Sequence, residues 1–408
     1  MTFGIGGSTA SIELDKIQHM TGSVQPISIA EFNLRIEKAT VLMKEKNCKA
    51  VYLNAGTNLY YFTGTKWNPS ERMVGALLFD DKSIEYILPK FEEGTFRKFM
   101  QVFGKINCWE EHENPYELFG NILDIKNIQD ANIAIDESVP YSLLDGLIEA
   151  NPHLNFNNAQ GITSGCRVQK SKNEIDIIQK AHEITLVVQK AAARILYAGI
   201  EAKEVIDFIH QAHIKAGISS GAYFCIVLFG DDSQYPHGVI NPQKLKDNDI
   251  VLIDTGCRLE GYCSDITRTY VFGTPSEEHR KIWNIEKAAQ MAVFNAAQLG
   301  ATCGSVDDAA RKVLYQAGFS KNYELPGLPH RVGHGTGLDI HEFPYLVRGN
   351  PTVLREGMVV SNEPMICIPG KFGIRHEDHF YMTADGPKWI TTPMKSIDDP
   401  FDVIESKH

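Results

Sequence analysis

The sequence predicts an α+β protein in two parts: a smaller α/β domain over residues 1–165, then a larger domain over residues 166–408 that repeats a helix–helix–antiparallel-strand unit. Three observations carry this reading. Short apolar runs alternate with helical patterns through the first 165 residues. A polar join, "GCRVQKSKNEIDIIQKA", then opens a long amphipathic helix. Finally, Gly199 to Gly217 and Gly300 to Gly318 are the same distance apart, each pair punctuating two helices that strands follow, which reads as an internal duplication.

The elements follow in order. Residues 1–25 carry little pattern and read as a loose arm. Ser28 with Glu31 forms a capping box, opening a helix to about Lys46. "AVYLN", "NLYYFTG", "VGALLF", "SIEYILP" and "ANIAID" read as strands. In the second part, Ile177, Ile178, Ala181, Ile184, Val188, Ala191, Ala192 and Ile195 form a helical stripe that ends near Gly199. A second helix runs from about Ala202 to Ala216, with Gly217 following its cap. "TPSE" (Thr274–Glu277) reads as a capping box with Pro275 at the first helical position, opening a helix to about Leu299. Ser305 and Asp308 open the next, and Gly318 closes it.

Composition narrows the function classes. A chain of 408 residues can bury a sizeable core, and 43% hydrophobic with 22% charged residues is ordinary for a globular protein. A net charge of −11 disfavours nucleic acid and anionic membrane as partners. The start lacks a basic, then apolar, signal pattern, and no run approaches about 18 apolar residues. The expectation is a cytoplasmic protein whose eight cysteines, none in a C-x-x-C pair, are reduced structural thiols.

The chemistry lies in two hairpins. In "VLIDTGCRLEGYCSDITRTYVF", Asp254 and Asp265 are equidistant from a turn centred between Leu259 and Glu260, which would place them directly opposite each other. In "VVSNEPMICIPGKFGIRHEDHFYM", Glu363 and Glu377 are equidistant from Gly370, with a bulge at Pro364 able to shift the register. Cross-strand neighbours share one face, and paired carboxylates there repel unless a cation neutralises them. Two such pairs in equivalent places of a duplicated unit point to a hard or borderline metal ion. "PHRVGHGTGLDIHEFP" adds His330, His334 and His341, with Gly333, Gly335 and Gly337 implying irregular backbone beside a site.

"DTG…SDITRTY", "HRVGHGTGLDIHE", "NEP" and "IRHED" together resemble the M24 metallopeptidases of pita-bread fold, over roughly residues 166–392. The N-terminal part resembles the smaller domain of the prolidase, aminopeptidase P and creatinase branch, most visibly at "NLYYFTG". The resemblance implies Asp254, Asp265, His334, Glu363 and Glu377 as ligands of two divalent ions, Asp265 and Glu377 bridging them. Manganese is the metal it favours; zinc or cobalt also fits the ligand types. It further implies a metal-bridging hydroxide that attacks the scissile carbonyl, with Glu363 shuttling the proton. His237 and His341 would hold substrate and stabilise the tetrahedral intermediate, His330 would line the substrate pocket, and Arg375 would stand near the substrate's carboxylate end or behind the ligands. The implied substrate is an Xaa-Pro dipeptide, whose scissile amide has no N–H. An Xaa-Pro aminopeptidase acting on longer peptides, a metal-free creatinase-type enzyme and an inactive binding protein of the same fold are the alternatives. A homodimer is implied too, with Trp67 and Arg72 as residues that would reach a partner's site. Three positions depart from the usual pattern: Met365 and Cys367 stand where glycine and tyrosine are common, and His376 where an aliphatic residue is usual.

Overall fold

The computed structural model describes residues 2–403, which divide into two compact units: residues 26–167, and residues 2–25 together with 168–403. In the first unit, β1 (Ala50–Asn54), β2 (Gly75–Phe79), β3 (Ile84–Pro89), β4 (Lys105–Trp109), β5 (Asn132–Ile135) and β6 (Asn155–Asn158) form one sheet in the order β4-β3-β2-β1-β5-β6. The first three strands are antiparallel neighbours and the others join in parallel. Every residue of β1, β2 and β3 is buried, which explains why they are mostly apolar, with Asn54 and Glu85 the polar exceptions. Ser28 caps the helix Ile29–Glu45 by accepting the Glu31 N–H.

One predicted strand is a helix. "NLYYFTG" forms Thr57–Thr63, bounded by Gly56 and by Gly64 at φ 69°, whose N–H reaches Tyr60 O. The β propensity of Tyr60, Tyr61 and Phe62 yields to the glycine boundaries and to burial of Leu59 and Phe62, which share a helical face. Trp67 packs against Phe96 and Phe99, and Arg72 is paired with Glu71 and Glu111.

The second unit carries the duplication. Helices Lys172–Arg194 and Ala202–Lys215 precede β7 (Ala222–Phe229), β8 (Ile250–Leu259), β9 (Tyr262–Cys263) and β10 (Ile266–Val271). Helices Glu277–Ala296 and Cys303–Gln316 precede β11 (Gly333–Gly335), β12 (Glu342–Leu346), β13 (Val359–Asn362), β14 (Met365–Ile368), β15 (Phe372–Arg375), β16 (Asp378–Thr383) and β17 (Gly386–Trp389). Gly199, Gly217, Gly300 and Gly318 all have positive φ, between 87° and 106°, so the two halves are punctuated alike. The helix starts differ slightly from expectation: Ser276 and Thr302 are the capping residues, and Pro275 lies just outside its helix.

Both hairpins aim their acids inward. The first turns at Glu260–Gly261, with φ 49° and 89°, the pattern of a two-residue type I′ turn. That centre lies one residue later than the sequence suggested, because the glycine takes the second turn position. Asp254 therefore faces Thr267 and not Asp265. Asp265 lies two residues from Thr267, a diagonal neighbour on the same side of the ribbon. In the second hairpin, Met365↔Arg375 on one side and Asn362↔Asp378 on the other keep one register around Gly370, so no bulge intervenes at Pro364. Glu363 and Glu377 sit across from each other in the gap between those ladders. There the strands part: Glu363 N–H bonds Val332 O, while Glu377 N–H bonds Thr267 O.

The N-terminal arm is not loose. Gly6 and Ser8 donate to Ala193 O and Arg194 O at the end of Lys172–Arg194, and Met20 donates to Ala216 O after the next helix. These bonds satisfy carbonyls that a helix end otherwise leaves open. Deleting residues 2–25 should lower the unfolding midpoint of the second unit, at about 1 kcal/mol for each backbone bond lost; thermal melting of the truncated chain checks this.

Candidate metal centre

Asp254 comes from the middle of β8 and Asp265 from the step between β9 and β10. His334 is the central residue of β11, and Glu363 and Glu377 occupy the gap in the second hairpin. Gly333 and Gly335 flank His334 because backbone crowds them: a Cβ would lie 2.1 Å from Ser361 O at the first and 2.6 Å from Phe343 O at the second. The expected irregularity consists of a register shift between His334 and Gly335 and of residues 336–341, Gly337 among them, which lie outside any strand.

The side chains converge. One oxygen each from Asp254, Asp265 and Glu377 lie within 4.8 Å of one another, and so do one atom each from His334, Glu363 and Glu377. Glu377 belongs to both groups. His334 Nε2 is 3.0 Å from Glu363 Oε1 and 3.9 Å from Asp265 Oδ2. Asp265, His334 and His341 form a third such group, so His341 is placed as a possible donor as well.

Elementary electrostatics shows why this arrangement suits cations. Burial, then Glu377 and Asp254, pushes the Asp265 carboxyl well above the usual carboxylate range. Burial, Glu363 and Asp254 do the same to Glu377. Asp254 is raised by burial despite its Arg375 partner. Glu363 is the exception: burial would raise it, but His334, then His330 and Arg375, hold it far below the ordinary value. Asp254 Oδ1, Asp265 Oδ1 and Glu377 Oε1 are buried with no hydrogen-bond partner among the described residues. Buried polar atoms without partners are rare, and mutually repelling carboxylate oxygens rarer. Oxygen donors with one imidazole fit two divalent ions of hard or borderline character.

Several residues that the sequence did not single out hold the cluster. Thr267 Oγ1 donates to Glu377 Oε2 at 2.7 Å and takes a bond from Arg375 Nε at 3.1 Å. Thr269 Oγ1 bonds Arg375 O at 2.6 Å. Asp265, Thr267 and Thr269 alternate, and that period-2 pattern in "SDITRTY" was the available signal. Arg268, on the other face, reaches Glu377 O at 2.9 Å and pairs with Asp378 at 2.6 Å. Ser361 Oγ bonds Glu363 Oε1 and receives the His334 N–H.

The remaining predicted residues divide. Arg375 is buried and directed at Asp254 Oδ2, 2.6 Å away, so it holds a candidate ligand. His341 is exposed, its ring 4.3 Å from that of His334. Its ring is nonetheless partly desolvated, and that desolvation and then His334 lower its pKa to about 4. His330 is half-buried and also lowered, chiefly by burial, and His237 is exposed and close enough to act on both. Cys367 is buried, its thiol pushed up to about 11 by burial, and Met365 Sδ lies 3.6 Å from Arg375. His376 is fully buried beside Glu286, 3.0 Å from it, and behind the candidate ligands.

Residues 176–384 match the model of metallopeptidase family M24, and residues 35–169 match the creatinase/prolidase N-terminal domain. The chain belongs to metallopeptidase family M24. This M24 chain is 32% identical over 367 residues to a Bacillus subtilis protein provisionally named dipeptidase YkvY, covering 89% of this chain and 99% of that one. Dipeptidase PepE from Mycobacterium ulcerans is 29% identical with a TM-score of 0.84, covering 91% and 98% of the two chains. A prolidase from Thermococcus sibiricus is 29% identical with a TM-score of 0.80, covering 88% and 97%. Among the described residues, no helix of the M24 chain is long and apolar enough to cross a membrane.

The electrostatic argument makes a prediction. Asp265→Asn removes a buried acid whose anion is disfavoured by desolvation, Glu377 and Asp254, and should stabilise the metal-free protein by about 1 kcal/mol, about 2–4 °C for a unit of this size, while weakening divalent-metal binding. Melting curves with and without chelator check it; a lower midpoint with unchanged metal affinity would contradict the electrostatic account.

Proposed function

We propose that this M24 peptidase hydrolyses the bond before proline in Xaa-Pro dipeptides, using two divalent metal ions, with manganese the favoured pair. The observation that carries the reading is that Asp254, Asp265 and Glu377 bring one carboxylate oxygen each within 4.8 Å of one another, and that each keeps a buried oxygen with no hydrogen-bond partner among the described residues. Likeness to a dipeptidase and a prolidase along nearly the whole chain supports the substrate class. Asp254, Asp265, His334, Glu363 and Glu377 would hold the ions. When bound, such ions polarise a carbonyl and lower the pKa of water.

The chain's own residues do the rest. Glu363, held ionised beside His334, is the group able to accept a proton from water and return it to the proline nitrogen. That nitrogen is part of a tertiary amide, so the site has no substrate N–H to engage and must protonate the leaving group. His330 and His341 have lowered pKa values and are neutral at neutral pH, able to hydrogen-bond substrate oxygens without adding charge. His237, close enough to act on both, would hold substrate with them. Arg375 acts on the reaction by fixing Asp254.

The test is a panel of Xaa-Pro dipeptides and tripeptides with proline second, assayed after chelation and add-back of manganese, zinc or cobalt. Dipeptide cleavage restored by metal is expected. Cleavage of the tripeptides alone would move the activity to an aminopeptidase. Glu363→Gln, assayed at saturating metal, should lower kcat by about 10²–10⁴ with a smaller change in KM.

A further inference from the structure

The helix Lys172–Arg194 presents two kinds of surface to the first hairpin. Ile177, Ile178, Ala181, Ile184 and Val188 supply ordinary apolar packing. Interleaved with them, His182, Thr185 and Gln189 form a polar stripe at helical spacing, all three fully buried. A buried polar group on a packing face costs stability unless its bonds are made, and an aliphatic residue would pack there at no such cost.

The bonds these three make are concentrated on the residues next to the two aspartates. Gln189 uses both amide hydrogens, one on Ile253 O and one on Ile266 O, each at 3.0 Å. The first carbonyl immediately precedes Asp254 and the second immediately follows Asp265. Thr185 Oγ1 lies 2.7 Å from Ser264 Oγ, and that hydroxyl accepts the Cys257 N–H at 2.9 Å. Ser264 immediately precedes Asp265. His182 Nδ1 is 2.8 Å from Ile178 O, an acceptor only, and its Nε2 receives the Asp265 N–H at 3.3 Å. Those two partners fix the ring as the neutral Nδ1–H tautomer. His213, from the neighbouring helix Ala202–Lys215, backs Thr185 at 3.3 Å. Gln189 Oε1 is left without a hydrogen-bond partner among the described residues, so the amide is not there for its own satisfaction.

We infer that His182, Thr185 and Gln189 are positioning residues that set the separation of Asp254 and Asp265 by bonding the carbonyl before Asp254 and, at Asp265, its own N–H, the hydroxyl of the residue before it and the carbonyl of the residue after it, and so set the site's affinity for divalent metal. The inference rests on the metal-site reading above. Asp254 and Asp265 stand diagonally across a two-stranded ribbon, and ribbons twist easily. A rigid helix bonded to both strands removes that freedom where the oxygen–oxygen spacing is decided.

The test compares wild type, Thr185→Val, Thr185→Ser and Gln189→Met, each stripped of metal and titrated with Mn²⁺ by calorimetry, with thermal melting in parallel. Thr185→Val keeps the shape and loses the hydroxyl; Thr185→Ser keeps the hydroxyl. The expected result is a loss of Mn²⁺ affinity of about 10–100-fold in Thr185→Val and Gln189→Met, with Thr185→Ser within about threefold of wild type. At saturating Mn²⁺, KM for an Xaa-Pro dipeptide should stay near wild type. Folded Thr185→Val and Gln189→Met proteins with wild-type affinity and stoichiometry overturn the inference and leave the metal site standing. Absence of Mn²⁺ binding by wild type overturns both. If Gln189→Met fails to fold, the contrast between Thr185→Val and Thr185→Ser decides alone.

Discussion

The second unit is organised around the burial of four carboxylates against one another. Asp254, Asp265 and Glu377 are almost wholly removed from water, and Glu363 lies beside them. Taking carboxylates out of water is costly, and placing them side by side adds repulsion. The neighbourhood offsets only part of this. Arg375 neutralises Asp254, Thr267 donates to Glu377, and His334 and Ser361 attend Glu363. Asp254, Asp265 and Glu377 each retain an oxygen with no hydrogen-bond partner among the described residues. A site so incompletely compensated is stable enough to fold because a large apolar core surrounds it, running from Leu252 and Trp283 to Val360 and Phe380. It is useful because the missing compensation is positive charge.

Duplication supplies the geometry. Each half contributes a helix pair and an antiparallel ribbon, and each ribbon carries two acids on one side. The ribbons meet where β10 abuts the interrupted second hairpin, through Glu377 N–H to Thr267 O and through Thr269 to Arg375. The break at Glu363 and Glu377 has a purpose in this arrangement. By giving up bonds to each other, the two strands let Glu363 bind toward Val332 near His334 and Glu377 bind toward β10. The interruption spreads the glutamates between the two groups of donors.

Much of this was legible in the sequence. The stripe from Ile177 to Ile195, the four spaced glycines and the Ser28 cap are local signals, and each corresponds to the element expected. The equidistance of Glu363 and Glu377 from Gly370 survived intact because a glycine at the turn pins the count. The Asp254 pairing was off by one residue because "RLEG" allows two centres, and only the demand for positive φ at Gly261 chooses between them. "NLYYFTG" has the propensity of a strand, but tertiary burial and the flanking glycines make it a helix. Residues 2–25 include the short helix Ala10–Lys16, and part of what fixes them is backbone N–H groups of Gly6, Ser8 and Met20 on helix-end carbonyls, which no side-chain pattern records. The supports around the site, Gln189 and Arg268 among them, were illegible for a related reason: a polar residue within an apolar stripe reveals its partner only after folding.

The departures from the family pattern fall around the acids, not among them. Met365 and Cys367 lie on β14 and His376 lies behind Glu377, and all three are buried. The central claim therefore concerns the acids themselves, and diffraction tests it most directly: crystals grown metal-free and then soaked in Mn²⁺, with data collected at the manganese absorption edge. The account predicts two anomalous peaks, one among Asp254, Asp265 and Glu377 and one among His334, Glu363 and Glu377. No peak there, or carboxylates turned away toward other partners, would contradict it.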